Sequence, residues 1–185
     1  MCERSPARVT GVTVFSPYLP YHSNMESSTV QSCLDCVPRP DRLFCDLPAD
    51  ALPAFDGIKH ISNCIRGTTL FHEGQPARGI YLLCSGKAKL TICSESGKRM
   101  TIRVVGPGEV LGLSAALAGS SYEVTADLIE DSHIAMVKRK DLLQFLHEHH
   151  DVCLQVVHAL SQDLHSAYDR VRSVGLRRTR RPRIH

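Results

Sequence analysis

Between Asn63 and Val137 the hydrophobic positions fall in short runs broken by turn residues, a rhythm that predicts a β-rich domain. Gly86, Gly97, Gly108 and Gly119 recur every eleven residues among these breaks. Such even spacing suits short antiparallel strands closed into a barrel or sandwich, which leaves few exposed edges. Apolar and polar positions alternate in Lys87-Ala88-Lys89-Leu90-Thr91-Ile92 and in Thr101-Ile102-Arg103-Val104, as expected of half-buried strands. Upstream, Leu52, Phe55 and Ile58 sit at helical spacing, and the pattern predicts a short amphipathic helix within Pro48–Ile61, with Pro48 in its first turn. Downstream, Lys140–His147 reads as a short helix and Asp151–Val174 as a long one, capped by Asp151 and stopped at Gly175.

The long helix carries its own signal. Cys153, Val157, Leu160, Leu164, Ala167, Val171 and Val174 recur at alternating intervals of four and three. That spacing keeps one stripe facing a partner helix, so the chain is expected to form a homodimer along this seam. The patterns together divide the chain into five parts: an aperiodic extension expected to be disordered (1–29), a cysteine-bearing segment with a short helix (30–61), a β-roll (62–150), the long helix (151–175) and an Arg-rich tail (176–185). Met25, just before the patterned sequence, is an alternative start.

Composition narrows the class. With 185 residues, 43% of them hydrophobic and 22% charged, the chain is long enough to bury a core and is neither a disordered tail protein nor a collagen-like repeat. No apolar run approaches the roughly 20 residues of a membrane span, and residues 1–24 lack the apolar stretch of a secretory signal. A cytoplasmic protein without a membrane partner is expected. The net charge of +3 depends on Arg177, Arg178, Arg180, Arg181 and Arg183, so residues 1–176 sum to 3 − 5 = −2. Any electrostatic affinity for nucleic acid therefore resides in the tail. Eight cysteines in a cytoplasmic chain read as thiols or metal ligands rather than disulfides. His147, His149 and His150 around Glu148 read as a solvated helix junction, and no catalytic constellation appears in a confirming context.

Three stretches, taken in order, resemble the sensor half of Crp/Fnr-type bacterial transcription regulators. They are Gly67-Thr68-Thr69-Leu70-Phe71-His72-Glu73-Gly74-Gln75, Gly79-Ile80-Tyr81-Leu82-Leu83-Cys84-Ser85-Gly86 and Gly106-Pro107-Gly108-Glu109-Val110-Leu111-Gly112. The resemblance implies a cyclic-nucleotide-binding-like jelly roll (mainly β with helices, α+β) followed by a dimerisation helix. It also implies an effector cassette over Gly108, Glu109, Gly112, Leu113, Tyr122 and Glu123. In nucleotide-binding members the cassette supplies a Glu for the ribose, an Arg for the cyclic phosphate and a hydroxyl residue. Leu113, Tyr122 and Glu123 stand at those places here, so cAMP and cGMP are not expected as ligands.

The spacing Cys33-x2-Cys36-x8-Cys45 resembles the cysteine cluster of the Fnr branch, which implies an oxygen-labile iron–sulfur cluster. Cys64 is the candidate fourth ligand and His133 the next; a zinc site or plain thiols are the alternatives. Members of the family place a helix-turn-helix after the long helix, whereas only Ser173–His185 follow here. The expected function is a sensory and dimerisation module of such a regulator, truncated before its DNA reader and responsive to redox state or a small effector. A stand-alone small-molecule sensor acting through protein contacts is the alternative. DNA becomes a partner only if a helix-turn-helix is supplied elsewhere.

Overall fold

A computed structural model of the chain describes residues 42–94 and 96–177, the last four of these by backbone alone. The chain runs through α1 (Ala51–Ile58), β1 (Lys59–Cys64), β2 (Thr69–Phe71), β3 (Gly79–Ser85), β4 (Ala88–Cys93), β5 (Arg99–Val105) and β6 (Val110–Leu111). It continues through α2 (Leu113–Ala118), β7 (Thr125–Leu128), β8 (Ser132–Lys138), α3 (Arg139–Glu148) and α4 (His150–Arg177). Eight strands form two four-stranded sheets, in the orders β1-β8-β3-β6 and β2-β7-β4-β5, with every neighbouring pair antiparallel. This is the expected jelly-roll arrangement with helices appended.

Within the first sheet β3 is buried on both faces, which explains why Gly79–Ser85 is almost continuously apolar rather than alternating. Ile80 and Leu82 of β3, with Ala135 and Val137 of β8, face the helices and pack with Phe44, Phe55, Leu142, Phe145, Val152 and Val156. Leu83 and Ile134 face the second sheet and pack with Phe71, Leu90, Val105, Leu111 and Leu128. In β4 the alternation breaks where the register shifts between Leu90 and Thr91, so Thr91 is buried beside Leu90. Gly86, Gly97, Gly108 and Gly119 all carry positive φ, so the eleven-residue series marks real turns.

Several boundaries differ from the sequence reading. The first helix begins at Ala51, and Pro48 lies ahead of it, where its carbonyl accepts from the Ala51 and Leu52 N–H groups. That helix ends at Ile58, because Lys59–Cys64 pairs with β8 and draws Ile61 into a strand. α3 is one residue longer at each end, and α4 begins at His150, one residue before the expected cap. Gly175 does not stop α4, which continues to Arg177. A glycine within a helix costs about 1 kcal/mol, a penalty and not a barrier.

α2 had no counterpart in the sequence reading. Gly112 and Gly119 flank it, both in the left-handed region, and Leu113, Ala115 and Ala116 are buried along it. Gly119, which reads as a turn break, and Gly112, which reads as a cassette residue, are therefore the caps of a short apolar helix.

The helix-side core is built around stacked aromatic rings: Phe44 lies 4.6 Å from Phe55, and Phe55 lies 5.3 Å from Phe145. Phe55→Ala is expected to lower stability by about 3–5 kcal/mol. Truncating Ile65, which is 75% exposed, should change it by less than about 0.5 kcal/mol. Urea denaturation of both variants measures the contrast.

Candidate functional site

Among the cassette residues, Gly112 and Tyr122 come together beside α2. The Tyr122 ring is buried and stacks on Phe71 at 4.0 Å, while its hydroxyl donates to the Gly79 carbonyl at 2.8 Å. A Cβ on Gly112 would lie 2.5 Å from the Tyr122 ring, so only glycine fits beneath it, at a φ of 75° that glycine also tolerates best. Tyr81 stands beside this pair, 5.5 Å from Phe71. Burial and the neighbouring Tyr122 push its phenol up to about 12. Tyr122 is raised as well, chiefly by burial, with its hydrogen bonds to backbone opposing the shift.

In front of this aromatic wall lies a cavity of about 120 Å³. Phe71, Leu90, Val110, Leu111, Leu113, Val124 and Leu160 make an apolar floor, with Gly112 and Ser114 beside them. Arg103, Glu123 and Asp163 bring charge to its lining. Leu113 is buried here, and Glu123 is exposed. Sequence reading named Leu113, Glu123 and Gly112 but missed Arg103, because that cation comes from β5, across the barrel. Asp163 and Leu160 were missed as lining residues for a similar reason: they arrive on α4, some 40 residues downstream.

Glu109 organises the cations. Its carboxylate accepts from the Gly106 N–H at 2.6 Å and pairs with Arg103 at 3.4 Å and Arg42 at 3.7 Å. Gly108 lies under the aliphatic part of Arg42, and its N–H donates to the Leu83 carbonyl. The segment entering from residue 42 is thereby tied to the cavity through a single carboxylate. Among the described residues, neither the Glu123 nor the Asp163 side chain makes an ion pair or hydrogen bond.

The long-helix seam is partly redrawn. Val152 and Val156 are buried in the core and Leu160 packs against it, with Cys153 half-buried. Leu160 therefore contributes to the protomer's own packing. The exposed stripe is Leu154, Val157, Leu164, Tyr168 and Val171. Val157, Leu164 and Val171 stand as expected, Ala167 is exposed, and the side chain of Val174 lies outside the described residues.

The cysteines divide. Cys45 packs on the helix-side core and Cys64 on the core between the sheets, where burial raises its thiol. His133 is exposed on β8, opposite Asn63. Cys33 and Cys36, the extension 1–29 and the tail beyond Arg177 lie outside the described residues. Among the described residues, no group of three or more His, Cys, Asp or Glu is placed to hold a metal. Glu148, His149 and His150 line a separate cleft with Asp50 and Asp151 at the α3–α4 junction.

Residues 63–149 match the family described as the cyclic nucleotide-binding domain. That stretch, just under half of the chain, is similar to cyclic nucleotide-binding domains. The chain is 28% identical over 81 residues to the Cyclic AMP receptor protein of Thermus thermophilus, a match covering 44% of this chain and 38% of that protein. It is 24% identical over 104 residues to Lysophospholipase nte1 of Aspergillus terreus, covering 56% of this chain and 7% of that protein. Its fold superposes on the N-terminal domain of a transcriptional regulator from Streptomyces coelicolor A3(2), with a TM-score of 0.58 and 25% identity. That superposition covers 72% of this chain and 94% of the other. The chain thus spans well under half the length of the two curated relatives. Regulators and a lipase share the domain, so its family name describes a scaffold and the lining residues must carry the function.

The tyrosine pair supplies a pH test of this wall. Tyr81 keeps its proton in the fold to about pH 12, whereas an unfolded tyrosine loses it near pH 10. The folded state binds more protons between these values, so stability is complete below about pH 10 and falls as pH rises toward 12. Thermal melts from pH 8 to 12 are expected to show this alkaline loss, and Tyr81→Phe should flatten it.

Proposed function

We propose that this chain is the sensory module of a Crp-type transcription regulator, paired as a homodimer along α4 and reading a small effector at the mouth of its barrel. The observation that carries the reading is the position of α4. One side supplies Leu160 and Asp163 to the cavity, while Leu154, Val157, Leu164, Tyr168 and Val171 stay exposed on the same helix. Exposed apolar residues in this number along one helix favour a partner of the same kind. Occupancy of the cavity would then act directly on the element that joins two copies.

The effector is not a cyclic nucleotide on this reading. A cavity of about 120 Å³ falls short of the roughly 300–1,000 Å³ of pockets that enclose drug-sized ligands. An exposed carboxylate, Glu123, lines it and opposes a phosphate. The Cys33, Cys36 and Cys45 spacing supports a second, redox input through thiolates. Among the described residues no helix is long and apolar enough to cross a membrane, in keeping with action in the cytoplasm. Control of transcription further requires a DNA-binding module, which the matched stretch does not include.

Sedimentation of the chain at about tens of micromolar is expected to show a dimer. Leu164→Glu, which puts two carboxylates in the seam, should weaken it by about tenfold or more. A monomer in the unsubstituted chain would refute the arrangement. Calorimetry with cAMP and cGMP is expected to show no binding at micromolar concentration; saturable heat from either would restore the nucleotide reading.

A further inference from the structure

The cavity beside α4 combines an apolar floor with charges of both signs, and its two carboxylates have no cationic partner among the described residues. Arg103 is braced by Glu109 through one nitrogen at 3.4 Å. A guanidinium has five N–H donors, so several remain for a planar, bidentate acceptor such as a carboxylate. Glu123 and Asp163 line the same cavity, and among the described residues neither has an ion-pair or hydrogen-bond partner.

These charges select by class. A simple carboxylate or phosphate meets one cation and two anions and is repelled on balance. A simple amine pairs with the carboxylates but leaves the free donors of Arg103 without an acceptor. A molecule carrying both charges on one carbon, with an apolar body for the floor, satisfies all three residues. The volume is small, about 120 Å³, and favours a single amino acid over a nucleotide.

We propose that this cavity binds a small zwitterion, an α-amino acid with an apolar side chain. Its carboxylate lies on Arg103, its ammonium near Glu123 and Asp163, and its side chain on the floor of Leu90, Leu113 and Leu160. The proposal rests on the reading of the cavity as a sensor site, and it gives that sensor a ligand class. Because Asp163 and Leu160 ride on α4 beside Leu164, such a ligand would bridge the barrel to the helix that carries the seam.

Calorimetry on the full chain with L-valine tests this, against isobutylamine and isovalerate as its two half-molecules. Valine is expected to bind saturably, and each half-molecule about tenfold more weakly or worse. Arg103→Gln and Glu123→Gln should each weaken valine by about tenfold. Glu123 is exposed and unpartnered, so its variant should fold even if loss of the Arg103 brace disturbs the Glu109 turn. The proposal is overturned if valine, alanine and leucine all fail to bind at about 10 mM, if isovalerate or isobutylamine binds as well as valine, or if Glu123→Gln leaves valine binding unchanged. A dimer that binds none of these refutes the ligand class alone, whereas a monomer that binds valine refutes the dimeric arrangement alone.

Discussion

Burial of β3 and β8 on both faces is the constraint from which the rest of the molecule follows. Ile80, Leu82, Ala135 and Val137 seal the helical layer, and Leu83 and Ile134 seal the space between the sheets. Each burial step along these strands therefore stabilises two interfaces at once. A one-residue slip between β3 and β8 would exchange the two side-chain sets and disrupt both cores. Where the strands begin to pair, a Cβ on Gly79 would sit 2.1 Å from the Val137 carbonyl oxygen, so glycine is required for the close approach. The same Gly79 offers its carbonyl to Tyr122. The register of the central sheet thus sets the aromatic wall behind the cavity.

The site shows how a family scaffold acquires a different pocket without a different fold. Tyr122 fills space with a ring and satisfies its hydroxyl internally, which keeps a buried polar atom from being costly. The cation at the mouth comes instead from Arg103 on β5, held by Glu109. Glu109 also pairs with Arg42, so one half-buried carboxylate links the segment at residue 42 to Arg103 at the cavity. In such a network a change in one partner's position alters the electrostatic environment of the other, which is a physical route for coupling two inputs.

α4 performs two tasks with one helix, and its residues divide accordingly. Near its start Val152 and Val156 anchor it to the core. Farther along, Leu160 and Asp163 reach the cavity, and from Leu164 onward the described side chains are exposed. Buried and exposed apolar residues interleave along the helix, which is why a single heptad pattern merged them.

The sequence by itself determined the class of fold and the order of its parts. Periodicity and glycine spacing are local properties, and they located the β-roll, the short helix before α4 and α4 itself. Three things depended on the tertiary structure, because each requires contacts between distant segments. Pairing with β8 turned Ile61 from a predicted helix into a strand. Docking on the barrel packed Leu160 of the predicted stripe against the protomer's own core, since an apolar stripe does not itself say which partner covers which part. The tertiary fold placed Arg103 of β5, Glu123 and Asp163 of α4, residues far apart along the chain, around one cavity.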